Sequence, residues 1–141
     1  MIKGIGMDMV EISRIEKACR KEHFLHRIFT AEEVIRFQKF PARLAGNFAV
    51  KEAVAKVFGT GFRSFYPCDI EVLRDEAGRP YINLYGGAKE MQEKLGITSI
   101  FVTITNEKEY ACAAAVAEGE PISCQKTREG ENQKLSENRR K

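Results

Sequence analysis

Ala42-Arg43-Leu44-Ala45-Gly46-Asn47-Phe48-Ala49-Val50-Lys51-Glu52-Ala53-Val54-Ala55-Lys56-Val57-Phe58 is the stretch on which the fold turns. At 100° per residue its apolar side chains (Leu44, Ala45, Phe48, Ala49, Val50, Ala53, Val54, Ala55, Val57 and Phe58) fall on every side, not along one stripe. A helix apolar all round is enclosed by the rest of its domain. Pro41 suits the first turn, where its missing N–H costs nothing. Gly59 is a natural left-handed stop.

The segments on either side supply the enclosure. Met1 to Asp8 alternates, with Ile5, Met7 and Met9 pointing one way and Gly4, Gly6 and Asp8 the other. This is a strand whose glycine face lets another backbone or a ligand come close, with Asp8 at its carboxyl end. Glu11 to about Glu22 follows as a helix, with Ile12, Ile15 and Cys19 on one side. Thr30-Ala31-Glu32-Glu33 has capping-box spacing and opens a short helix ending near Phe40. Beyond Gly59, Cys68–Arg74 and Tyr81–Leu84 form a hairpin about Asp75–Arg79. Gly87–Leu95 is a short helix closed by Gly96. Ser99–Thr105 and Tyr110–Ala117 make a second hairpin. The expected architecture is α+β, a mostly antiparallel sheet packed with a long buried helix, over residues 1–117. In residues 118–141 only Ile122, Cys124 and Leu135 are apolar, so this part is expected to be a polar, disordered tail.

At 141 residues the chain suits one domain. Its net charge of +3 is too small to argue for nucleic acid, and it has no recognised nucleic-acid motif or basic-aromatic platform. Glu11 to Arg43 holds eight Lys/Arg against five Asp/Glu, a basic patch that steers an acidic partner or is simply a solvated face. No apolar run is long enough for a membrane span, and the polar N-terminus is not a signal peptide. The four cysteines include no C-x-x-C pair, which argues against zinc and for free thiols in the cytoplasm.

The enclosed helix carries Asn47, Lys51, Glu52 and Lys56, and a charge there must be paired, hold a metal or meet a charged ligand. One reading is an intrahelical Glu52–Lys56 pair, with Lys51 reaching out to solvent. The other is a functional cluster. Gly59-Thr60-Gly61 is either a turn or a place where backbone approaches a ligand. It lacks the spacing of a P-loop. Asp8 is either a helix N-cap or, with Glu52, an oxygen ligand for a hard cation. Magnesium accepts one or two carboxylates and completes its shell with water and phosphate. The residues alone leave open a two-carboxylate magnesium site beside lysines, suited to a phosphate substrate, alongside the plain ion pair and the helix cap.

Two longer runs carry a resemblance. Gly4-Ile5-Gly6-Met7-Asp8-Met9-Val10-Glu11-Ile12-Ser13-Arg14-Ile15 resembles the N-terminal signature of holo-acyl-carrier-protein synthases, and Phe48 to Gly61 resembles their second, F-A-x-K-E-A-x-x-K-x-x-G-T-G. Asp69–Val72 with Gly78–Tyr81, and Thr103–Thr105 with Lys108–Ala111, fit the family's two hairpins in order. The resemblance implies the 4'-phosphopantetheinyl transferase fold, a homotrimer with active sites between subunits. It implies magnesium-dependent transfer of phosphopantetheine from coenzyme A to a serine of acyl carrier protein, in fatty acid biosynthesis. Asp8 and Glu52 would hold magnesium, and Glu52 and Lys56 would be catalytic. Lys56, Gly59, Thr60, Gly61, Thr105 and Asn106 would line the coenzyme A site. Arg14, Arg20 and Lys21 would meet the acidic carrier. The chain departs from the family at Asn47, where many relatives carry Arg, and at Asn106, where many carry His. Both remove positive charge, although Asn still donates hydrogen bonds.

Overall fold

The computed structural model describes residues 1–121, so most of the expected polar tail lies outside the described residues. Its elements are β1 (Ile2–Glu11), α1 (Ile12–Cys19), α2 (Glu22–Ile28), α3 (Ala31–Phe37), α4 (Pro41–Phe58), β2 (Ile70–Arg74), β3 (Pro80–Leu84), α5 (Gly86–Lys94), β4 (Ile97–Asn106) and β5 (Tyr110–Gly119). A 3₁₀ turn at Pro67–Asp69 leads into β2. The strands form two antiparallel sheets, one ordered β1-β5-β4 and one made of β2 and β3. The class is α+β with antiparallel sheets, as expected.

Helix α4 is the centre of the core. Ala45, Ala49, Val50, Ala53 and Val54 are wholly buried. The three-stranded sheet covers one side, and α1, α3 and β2 pack on others. Gly59 ends the helix at φ 76°. The small residues of β1 explain the close seat: a Cβ on Gly6 would lie 2.0 Å from the Ala53 carbonyl oxygen, and one on Gly4 2.8 Å from that of Val57. Two strand residues advance about 6.6 Å and four helix residues about 6 Å. The two glycines therefore keep step with successive helical turns, and the next inward position, Asp8, falls against the turn that carries Glu52.

Three details differ from the sequence-based expectation. Strand β1 continues to Glu11, so Asp8 lies inside it and not at its end. The extension is held by pairing with β5, where Asp8 faces Ala113 and Glu11 faces Tyr110. The first helical region is two helices, broken after Cys19, because α2 buries its own Leu25 and Ile28. Strand β5 runs two residues past Ala117, with Ile97 opposite Gly119.

Candidate active site

Asp8, Glu52 and Lys56 converge where β1 crosses α4. Lys56 Nζ donates to the Met7 carbonyl at 2.7 Å and to Asp8 Oδ1 at 3.3 Å. Its carboxylate partner is thus Asp8, across elements, and not Glu52 one turn back on its own helix. Asp8 does not cap α1 either, since Glu11 occupies that position. Glu52 is half-buried and makes no salt bridge among the described residues. Burial pushes its carboxyl above the ordinary glutamate range, the negative charge of Asp8 pushes the same way, and Lys56 partly offsets both. Two neighbouring carboxylates, one of them raised in pKa by burial and by the charge of the other, form a donor set suited to a hard cation, and no third His, Cys, Asp or Glu joins them into a larger metal cluster among the described residues. That fits magnesium, which leaves most of its shell to water and phosphate.

The other expected site residues are distributed around this centre. Gly59 and Gly61 both take positive φ, 76° and 62°, and a Cβ on either would meet nothing within 4 Å. The turn after α4 is therefore open backbone, with glycine set by conformation. Thr60 is half-buried between them. Asn106 lies beside the first half of α4, its Oδ1 3.7 Å from where a Gly46 Cβ would stand. Thr105 is exposed and pairs with Cys112 on β5. It faces away from Ile104, which packs on the core, so one chain does not bring it to Asp8 and Glu52. Arg14, Arg20 and Lys21 are exposed on α1 and the turn after it.

Lys51 does not reach solvent. It is 1% exposed, and Nζ donates to Glu33 Oε2 at 2.8 Å, to the Pro67 carbonyl at 3.1 Å and to the Ile70 carbonyl. Glu33 is wholly buried. The capping box at Thr30 forms as its spacing predicts, with Thr30 N–H donating to Glu33 Oε2 at 2.9 Å. The same carboxylate also accepts from Asn47 Nδ2 at 3.1 Å and from the Val72 amide at 3.2 Å. Asn47 donates as well to the Val72 carbonyl, at 2.9 Å. Thr30 Oγ1 continues the chain to Glu71, which accepts from Asn83 and Tyr85. Glu33 and Glu71 were missed from sequence. The capping box accounted for Glu33 with a local role, and nothing in the spacing shows that the same oxygens reach a helix fourteen residues on.

The outer face of the three-stranded sheet is the other conspicuous feature. Ile5, Met7, Met9 and Phe101 are each at least half exposed. Val116 joins Ile5 to Phe101 in register, and Ala114 and Cys112 lie opposite Met7 and Met9.

The profile of the 4'-phosphopantetheinyl transferase superfamily matches residues 4–115. The chain is 49% identical over 118 residues to the holo-[acyl-carrier-protein] synthase of Lachnoclostridium phytofermentans, across 84% of this chain and 97% of that protein. Its fold is similar to the acyl carrier protein synthase of Plasmodium yoelii with ADP bound, at TM-score 0.78 and 31% identity over 86% of this chain and 98% of that one. It is also similar to the Helicobacter pylori holo-[acyl-carrier-protein] synthase in complex with coenzyme A, at TM-score 0.72 and 31% identity over 81% and 99%.

Proposed function

The chain belongs to the 4'-phosphopantetheinyl transferase superfamily, and we infer from that membership that it moves 4'-phosphopantetheine from coenzyme A to a serine of apo-acyl carrier protein. The products are the holo carrier, which serves fatty acid biosynthesis, and adenosine 3',5'-bisphosphate. The observation that carries the reading is the meeting of Asp8, Glu52 and Lys56 where the glycine face of β1 rests on α4.

In the reaction the serine oxygen attacks the β-phosphorus of coenzyme A, and the bond to the adenosine bisphosphate oxygen breaks. Lys56, exposed and held by Asp8 and one carbonyl, turns to the leaving phosphate and stabilises its charge. Glu52 takes the serine proton, directly or through a water of the site. Asp8 and Glu52 would hold magnesium, which neutralises the pyrophosphate when bound. The open backbone at Gly59, Thr60 and Gly61 and the Asn106 amide are the groups available to the nucleotide.

The apolar sheet face fits self-association as a homotrimer, since a patch of this kind on a soluble protein marks an interaction surface. It would place Thr105 between copies. The exposed Arg14, Arg20 and Lys21 suit the acidic carrier. The transferase domain takes in the expected residues 1–117 and the two further residues of β5, Glu118 and Gly119. A cytoplasmic setting agrees with this role, and no helix among the described residues is long and apolar enough to cross a membrane.

The test mixes the protein with apo carrier, coenzyme A and magnesium and weighs the carrier. A gain of the phosphopantetheine mass, absent without magnesium, is the expected result. An unmodified carrier in the presence of folded enzyme overturns the reading.

A further inference from the structure

We propose that the buried Lys51–Glu33 pair is a positioning device for the transfer: it fixes the rotation of α4 about its own axis and so aims Glu52 and Lys56 at Asp8. The proposal rests on the reading of Asp8 and Glu52 as the metal-holding pair.

Helix α4 is buried on nearly every side, and apolar burial has no direction of its own. A helix that is apolar all round gains almost the same burial at neighbouring angles of rotation. The glycine seat on β1 sets how closely the helix approaches the sheet, but every face of a helix carries carbonyl oxygens to meet such a seat. Rotation must therefore be chosen by directional contacts. A turn of about 20° moves a side-chain tip at a radius of ~5–6 Å by about 2 Å. That breaks hydrogen bonds and scarcely changes apolar contact.

Lys51 is built for this task. Its three acceptors come from α3, from the 3₁₀ turn and from the first residue of β2. Asn47, one turn earlier, reaches the same Glu33 carboxylate and the next part of β2. Glu33 accepts four donors, about the full capacity of a carboxylate. The helix is thereby keyed to three segments on the side away from β1. Glu52 follows Lys51 directly, so an error of 2 Å at Lys51 is repeated at the Glu52 carboxylate, beyond the tolerance of a metal ligand. Lys51 and Glu33 touch neither substrate nor metal. They act through the angle of the helix. Buried pairs of this kind are best attested as selectors of register.

The test is the double variant Glu33→Gln with Lys51→Met, which removes both charges and preserves volume. The glutamine amide keeps one acceptor oxygen where Glu33 met four donors, and the methionine gives the Pro67 and Ile70 carbonyls no donor, so some stability is lost. The expected result is a folded protein with a lowered melting temperature, assayed well below it. Its kcat should fall at least tenfold, and its magnesium dissociation constant by calorimetry should rise at least threefold. Wild-type kcat and magnesium affinity in a folded double variant overturn the proposal. A double variant that no longer folds overturns it too, because the pair would then serve stability and not aim. If the wild type itself binds no magnesium, the metal reading fails, while the kcat comparison still decides this one.

Discussion

Helix α4 bears two charged clusters little more than a turn apart, and they are built in opposite ways. Around Lys51 and Asn47 almost every polar group is matched. Lys51 has three acceptors and Glu33 four donors, and among the described residues only Asn47 Oδ1 lacks a protein partner. Around Glu52 and Lys56 the groups are half-buried or exposed and under-committed: Lys56 meets the Met7 carbonyl at 2.7 Å and Asp8 at 3.3 Å, and Glu52 makes no salt bridge among the described residues. Satisfied polar groups in a core hold architecture. Polar groups left with spare capacity beside a strand seam are free to meet a ligand. The same helix thus separates holding from reacting by which neighbour each side chain faces.

That contrast can be broken most severely from the inner side. Lys51→Ala should leave Glu33 charged and unpaired in the core and cost about 3–5 kcal/mol, read in chemical denaturation. Its activity should fall through the lost aim of α4 as well as through unfolding. On the outer side the reverse holds: Glu52→Gln should lower kcat by roughly 10²–10³-fold, measured by carrier mass, while the protein melts at the same temperature or slightly higher.

The reason for the higher melting point also fixes its pH dependence. The folded-state pKa of Glu52 is raised by burial and by Asp8, so the unfolded chain releases this proton at lower pH than the folded one. Ionised Glu52 therefore costs stability above the ordinary glutamate range, and that cost fades as pH falls through it. The gap in melting temperature between Glu52→Gln and wild type should close on acidification. Glu71 should behave oppositely. Burial raises its carboxyl, but hydrogen bonds from Thr30, Asn83 and Tyr85, with the charge of Lys51, outweigh burial and hold it below the ordinary value. Its contribution is present above the ordinary glutamate range and is lost as pH falls through its depressed folded value. Glu71→Gln should lower the melting temperature at pH 7 and lose that effect in acid.

The smallest expected effect tests the link between the capping box and the core. Thr30→Val removes the N-cap acceptor of α3 and the donor to Glu71, and should cost about 1 kcal/mol in denaturation with kcat unchanged. A large loss of kcat in this variant would mean that the two clusters are less separate than their contacts indicate.

Much of this was legible in advance. Apolar residues on every side of Ala42–Phe58 announced a buried helix, and the alternating glycines of β1 announced a close backbone approach, because both are properties of residue spacing. The Thr30 box was legible for the same reason. What spacing could not supply was the partner of each charge. Spacing paired Lys56 with Glu52 on the same helix and sent Lys51 to solvent, and neither partner is the one that the fold supplies. The helix α2 also escaped notice, since Leu25 and Ile28 alone make too short a pattern to separate it from α1.

By itself the sequence determined most of the secondary elements, the enclosure of α4 and the candidates Asp8, Glu52 and Lys56, since local spacing and residue chemistry are written along the chain. Only the tertiary structure decided that Lys51 is an anchor and that Lys56 faces Asp8. Those pairings join residues 18 and 48 positions apart, and the distance between them in space is set by how sheet and helices pack.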